Sequence, residues 1–296
     1  MKANGLIDLH MHSTVSDGTD SPKEILERAV ENGLSLFSLS DHDDLKGCRE
    51  IAEMFDSGFG SDMGGSCPGF ISGTEFSCKD EDGKYHILGY GYDLEGESIN
   101  KVLKMGHDFR MNKVKNRLKH LELEYGFTFP EEEINALLAM DNPGKPHIAN
   151  LMVKYGYASS KENAIDEYIN KLHSLKEYVR PEEAIDGILR SGGIPVLAHP
   201  GLGSGGENIR GEALVSRLEK LMDFGLKGIE VFYYDMPDGM RIEALYYAER
   251  YDLYITAGSD YHGRNKTNEM GRTHLERMET WPKGLSRFLL DVNRIK

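Results

Sequence analysis

Side chains able to ligate a metal recur along this chain at the ends of apolar, strand-like segments. His10 and His12 close GLIDLH and its continuation, His42 follows LSLFSLS, and Glu75 lies in GFISGTEF. His86 opens HILGYGY, His199 closes IPVLAH, and Asp260 and His262 follow LYITAGS. Residues two apart on an extended strand point to the same side, so His10 and His12 can grip one cation, and Asp260 with His262 repeats the arrangement. A single His-x-His is more often incidental, and Asp17, set in Ser16-Asp17-Gly18, reads by itself as a turn residue. Independent accidents do not place imidazoles and carboxylates at the same end of five or more strands, the end where barrel enzymes carry their active sites. The joint pattern therefore predicts a metal site. A bound cation lowers the pKa of its water towards about 7 and neutralises phosphoryl oxygens, which suits hydrolysis of phosphate esters.

The elements that must position these residues are seven short apolar runs, GLIDLH, LSLFSLS, GFISGTEF, HILGYGY, IPVLAH, GIEVFYY and LYITAGS, separated by amphipathic stretches. Such alternation predicts an α/β fold with a parallel sheet or barrel. The first helix is signalled by Ser21 as N-cap, Pro22 at the first helical position and Glu24 at the third, ahead of the apolar face of Ile25, Leu26 and Ala29. From about Ser98 to Arg180 no strand pattern is present and helical periodicity dominates. That segment reads as an inserted helical domain, residues 98–180, within a barrel domain of residues 1–97 and 181–296. The Gly- and Ser-rich stretch from Ser57 to Gly69 reads as a loop before the third strand, and GLGSGG at 201–206 as a mobile rim loop. It lacks the Lys-Ser/Thr end of a P-loop and a clear dinucleotide fingerprint.

Composition narrows the class. Among 296 residues, 39% are hydrophobic and 28% charged, ordinary for a globular protein, and no apolar run reaches the roughly 20 residues of a membrane span. The formal net charge of -14 argues against non-specific DNA binding, which depends on Lys and Arg neutralising phosphates. Cys48, Cys67 and Cys78 are the only cysteines, too few and too scattered for a disulfide framework, and MKANGLIDLHMHS offers no export signal, so a cytoplasmic location is expected.

The motifs DLHMHSTVSDG, SLSDHDD, ISGTEFS, YHILGYGYD, PVLAHPG and AGSDYHG, taken in order, resemble the PHP superfamily, named for polymerase and histidinol phosphatase. The resemblance implies a distorted seven-stranded β/α barrel with three divalent metal ions in its C-terminal mouth. It implies one ion held by His10, His12, Glu75 and Asp260, a second by Asp17, His42 and His262, and a third by Glu75, His86 and His199, with Glu75 bridging. Of these, His10, His12, Asp17, Glu75, Asp260 and His262 are the residues expected to carry catalysis. The mixed nitrogen and oxygen ligands suit manganese, iron or zinc, with manganese preferred.

The helical insertion and its GKPHIANLM motif, Gly144 to Met152, resemble the nucleotide phosphatase and 5′-3′ exoribonuclease branch, with Lys145 where that branch has arginine, a change that keeps charge but loses the planar fork. Arg110, Lys113 and Arg117 fall at i, i+3 and i+7 of a helix. For any one of them a solvated face is the ordinary reading. In this setting Arg110, Arg117, Lys145, His147 and Arg264 are the candidates to meet substrate phosphate. The expectation is hydrolysis, by a metal-bound hydroxide, of a phosphate ester on AMP, a nucleoside 3′,5′-bisphosphate or the 5′ end of a short RNA. Histidinol-phosphate phosphatase, or a non-catalytic metal-binding accessory module, is the alternative.

Overall fold

A computed structural model describes residues 5–59, 67–140, 143–172, 178–202 and 209–293. One seven-stranded sheet runs in sequence order: β1 (Leu6–Asp8), β2 (Leu34–Leu39), β3 (Gly69–Asp80), β4 (Gly83–Tyr90), β5 (Ile194–Leu197), β6 (Gly228–Tyr233) and β7 (Tyr254–Gly258). The helices are α1 (Pro22–Glu31), α2 (Lys46–Asp56), α3 (Glu97–Tyr125), α4 (Glu131–Leu138), α5 (Lys145–Lys154), α6 (Lys161–Glu167), α7 (Pro181–Arg190), α8 (Glu212–Asp223), α9 (Asp238–Arg250) and α10 (Lys283–Asp291). α1 starts on the expected signals: Ser21 accepts from the Glu24 N–H while the Glu24 carboxylate accepts from the Ser21 N–H, a reciprocal cap behind Pro22. No helix among the described residues is long and apolar enough to cross a membrane.

The sheet is not parallel throughout. β4 runs antiparallel to both β3 and β5, whereas the other neighbouring pairs are parallel. The cause is a tight hairpin that turns at Glu81 and Asp82 between the paired Asp80 and Gly83, and Gly83 has φ 129, a backbone conformation open to glycine and strained for other residues. His86 therefore lies in the first half of β4, paired with Ser77, and not at the C-terminal end of its strand. The chain beyond β1 and that around the end of β7 are joined by backbone hydrogen bonds, Leu9 N–H to Ala257 O at 2.9 Å and Asp260 N–H to His10 O at 2.7 Å.

The chain forms two compact units, Met1–Leu103 with Val179–Lys296, and Lys104–Tyr178. In the first, Ile25, Leu26, Phe37, Leu39, Ile51 and Phe70 are fully buried, and the Phe37 and Phe70 rings lie 4.9 Å apart. Each such side chain contributes about 1.5–3 kcal/mol by leaving water. In the second, Val114, Leu121, Ile148, Met152 and Ala164 form a separate apolar core, with the Phe127 and Tyr157 rings stacked at 4.4 Å. Residues 60–66 of the predicted Gly- and Ser-rich loop and residues 203–206 of the predicted rim loop lie outside the described residues.

Candidate metal centre

Glu75, in the middle of β3 and almost fully buried, is the hub of the site. Its Oε1 lies 2.8 Å from His86 Nδ1, 3.1 Å from His199 Nε2 and 3.4 Å from His10 Nε2, and its Oε2 lies 3.2 Å from His42 Nδ1 and 3.3 Å from His12 Nε2. Asp260 closes the same cluster, with Oδ1 at 3.3 Å from His12 Nε2, 3.6 Å from His10 Nε2 and 3.3 Å from His262 Nδ1. Asp17, the most exposed member, stands 3.1 Å from His262 Nε2 and 3.9 Å from His42 Nε2. The structure thus gathers residues from six strands and their following loops into one connected set.

The donor set fits divalent cations. Ligand atoms bonded to one ion at about 2.1 Å stand about 3.0–3.4 Å apart along the edges of an octahedron or tetrahedron, and seven of the ten separations above fall in that range. Three groups have ligand atoms within 4.8 Å of one another: His12, Asp17, His42 and His262; His10, His12 and Glu75; and His42, Glu75 and His86. The Nε2 atoms of His10, His12 and His262 are buried without a well-aligned hydrogen bond among the described residues, and buried polar atoms in that condition call for a ligand or ion. The His262 Nδ1 lies 2.9 Å from the Asp260 carbonyl. A carbonyl only accepts, so Nδ1 carries the proton and the Nε2 lone pair faces the cluster.

Electrostatics tell the same story in protons. Burial pushes the His12 imidazole down, but Asp260, Glu75 and Asp17 more than offset it and hold its pKa at about 9. His10 behaves likewise: burial works against its charge, yet Glu230, Glu75 and Asp260 keep it well above the ordinary value. Against the effect of burial, His86, His10 and His42 hold Glu75, and His10, His12 and Lys266 hold Asp260, well below the carboxylate range. His42 goes the other way, to about 4, because burial outweighs Glu75 and Asp17. The cluster without metal is a negatively charged nest that draws cations, with protons as stand-ins.

Several supporting residues escaped the sequence reading. Asp41 accepts from the Ser13 N–H at 2.8 Å, the Ser13 hydroxyl and the Ser16 hydroxyl, both at 2.7 Å, and so fixes the loop that carries Asp17. Buried Asp8 accepts from the Ser259 N–H, the Ser259 hydroxyl and the Gly271 N–H, tying β1 to the loop after β7. Tyr233 and Lys266 donate to the outer Asp260 oxygen at 2.8 and 2.6 Å, leaving Oδ1 for the cluster. Glu230 accepts from His10 and from the His199 backbone. The signal for the last was a lone acid inside the apolar strand GIEVFYY. A further acidic triplet, Asp80, Glu81 and Asp82, already holds the Lys220 ammonium at 2.9, 2.7 and 2.6 Å.

The predicted substrate residues fall in both units. Arg110, Arg117, Lys145 and His147 belong to Lys104–Tyr178. Arg117 is half-buried, and burial and the nearby Arg110 charge lower its pKa against the opposing effect of Tyr178. Lys145 donates to Asn170, and His147 Nδ1 accepts from the Gly144 N–H at 3.1 Å at the start of α5. Arg264 belongs to the first unit, exposed, with its backbone N–H on the Thr19 hydroxyl.

An α/β fold with this histidine and carboxylate cluster defines a hydrolase of phosphate esters that works with metal ions. The model of the PHP domain matches residues 8–181, and the chain belongs to that family. It is 30% identical over 270 residues, 87% of this chain and 94% of the relative, to the phosphoribosyl 1,2-cyclic phosphate 1,2-diphosphodiesterase of Eggerthella lenta. It is 30% identical over 266 residues, 86% and 87% of the two chains, to the 3′,5′-nucleoside bisphosphate phosphatase of Chromobacterium violaceum. A solved structure described as a metal-dependent phosphoesterase from Bifidobacterium adolescentis superposes with a TM-score of 0.74 at 26% identity, covering 98% of both chains.

Proposed function

We propose that the protein hydrolyses a phosphate ester of a nucleotide, AMP, a nucleoside 3′,5′-bisphosphate or the 5′ end of a short RNA, at a centre of three divalent ions, manganese ahead of iron or zinc. The observation that carries the reading is Glu75, with five imidazoles within 3.4 Å of its two oxygens. One carboxylate cannot satisfy five rings as a hydrogen-bond acceptor, but it can share their company around bound cations. His10, His12, Glu75 and Asp260 form one ligand set, Asp17, His42 and His262 a second, and Glu75, His86 and His199 a third. His12 borders both of the first two, because it also groups with Asp17, His42 and His262. Bound metal supplies a Lewis acid and lowers the pKa of water for attack on phosphorus.

The chain's own groups do the rest. Tyr233 and Lys266 fix the rotamer of Asp260, and Asp41 fixes the loop of Asp17. Arg117 and Arg110, two like charges held near each other at a half-buried position, suit an anion as their counter-charge. Lys145 and His147 add donors at the N-terminal turn of α5, where the helix dipole favours phosphate, and Arg264 adds an exposed one. The Chromobacterium relative's name supports the nucleotide branch, and the reducing-compartment cysteine pattern supports a cytoplasmic site of action. The test is phosphate release with added manganese from AMP, a nucleoside 3′,5′-bisphosphate, 5′-phosphorylated short RNA, histidinol phosphate and a phosphoribosyl 1,2-cyclic phosphate. Preference for one of the first three supports the reading. Preference for histidinol phosphate or for the cyclic diester moves the substrate, and no turnover of any of them with metal bound leaves the accessory-module alternative.

A further inference from the structure

β6 brings none of the nine predicted ligands to the centre, yet all six of its residues are buried. Its one acid, Glu230, is fully buried. Burying a carboxylate costs several kcal/mol unless its oxygens are engaged. Both are: Oε1 lies 3.0 Å from His10 Nδ1, and Oε2 accepts the His199 backbone N–H at 2.9 Å. His199 has φ 27 and Asp260 φ 55, left-handed conformations that are strained for non-glycine residues and persist where surroundings hold them. Gly258 makes room for the arrangement, since a Cβ there would sit 2.1 Å from His10 Cβ and 2.7 Å from Glu230 Oε1.

We propose that Glu230 is a positioning residue of the metal centre: by accepting the His10 Nδ1–H and the His199 N–H together, it fixes His10 Nε2 as the ligating atom and locks the ligand-bearing ends of β1 and β5 against each other. The inference rests on the metal reading above. A neutral His10 whose Nδ1 faces a carboxylate must put its proton there, which aims the Nε2 lone pair at Glu75 and Asp260. Substituting the amide in Glu230→Gln leaves one acceptor for two donors. Its NH2 would turn His10 to the other tautomer, with the proton on Nε2, or leave the His199 N–H unanswered.

The test uses zinc alone as a diamagnetic probe on wild type, Glu230→Gln and Glu230→Asp. Zinc affinity, read as retention against a chelator, should fall about tenfold to a hundredfold in Glu230→Gln, the range for lost outer partners of ligating histidines. Glu230→Asp, which keeps the charge, should retain more zinc than Glu230→Gln. The reverse order would mean that volume and not charge matters and would overturn the proposal. If Glu230→Gln does not fold, nitrogen-15 histidine spectra of zinc-loaded wild type decide alone. A proton on His10 Nδ1 supports the proposal, and one on Nε2 overturns it. A wild type that binds no zinc, manganese or iron overturns the metal reading and this inference with it, whereas a zinc-binding wild type beside a folded Glu230→Gln of equal retention overturns this inference alone.

Discussion

His12 shows how much one side chain is asked to do. Its Nε2 lies 3.3 Å from both Glu75 and Asp260, and the same ring groups with Asp17, His42 and His262. His12→Ala is expected to lose bound metal and to abolish turnover, checked by metal analysis beside phosphate release. Unchanged metal content in that variant would contradict the ligand role. The sign of the pH dependence follows from the proton that the ring must give up. With the His12 pKa raised from 6.5 to about 9 by its carboxylates, the metal-free protein carries that proton through neutral pH. Metal uptake then competes with protonation, so retention against a chelator should strengthen as pH rises towards 9 and weaken as it falls. The candidate ligands were legible because imidazoles and carboxylates recurred at one end of successive apolar runs. Glu230, Asp8 and Asp41 were not, because an acid in or beside an apolar segment has many ordinary explanations until its partners, distant in sequence, are seen around it.

Elements place those residues through close backbone approach. The seven strands and the first helix could be read from apolar runs and caps, but the direction of β4 could not be read from strand-helix alternation, which breaks at the Glu81-Asp82 hairpin. Reversal matters to chemistry, because it brings His86 from the first half of its strand to Glu75 on the neighbouring one. At the other edge of the sheet, Gly258 of β7 leaves room for His10, in the segment that follows β1. Gly258→Ala would drive a methyl group into His10 Cβ at 2.1 Å, and neither backbone has a flexible side-chain end to yield. The variant should lose about 1–3 kcal/mol of stability, as for overpacking elsewhere, and should retain less metal than wild type. Denaturant unfolding with metal analysis checks both, and a variant of wild-type stability would show that β1 can shift at little cost.

At the scale of the molecule, all nine predicted ligands lie in the unit formed by Met1–Leu103 and Val179–Lys296, while four of the five predicted substrate residues lie in Lys104–Tyr178. If those assignments hold, excision should separate chemistry from recognition. The excision must respect packing that sequence periodicity did not reveal: Gly187 of α7 accepts the Val102 side chain so closely that a Cβ would stand 2.8 Å from it, and the Ile99 N–H donates to the Ser191 hydroxyl at 3.1 Å. The start of α3 thus belongs to the first unit's core, and replacing 98–180 would strip it. Replacing 104–178 with a Gly-Ser linker spares it, and closure entropy grows only slowly with linker length, by about 0.6 kcal/mol per doubling. The shortened protein should bind metal and hydrolyse p-nitrophenyl phosphate, yet lose its preference for nucleotides, because binding energy from groups remote from phosphorus would be gone. Within the full chain, Arg117→Ala should reproduce part of that loss, lowering kcat/KM for nucleotides by about tenfold to a hundredfold, the equivalent of one charged hydrogen bond of about 1.5–3 kcal/mol, with metal content unchanged. Should the excised protein keep full discrimination between AMP and p-nitrophenyl phosphate, specificity resides in the loops around the sheet, and the assignment of Arg110, Arg117, Lys145 and His147 to substrate falls.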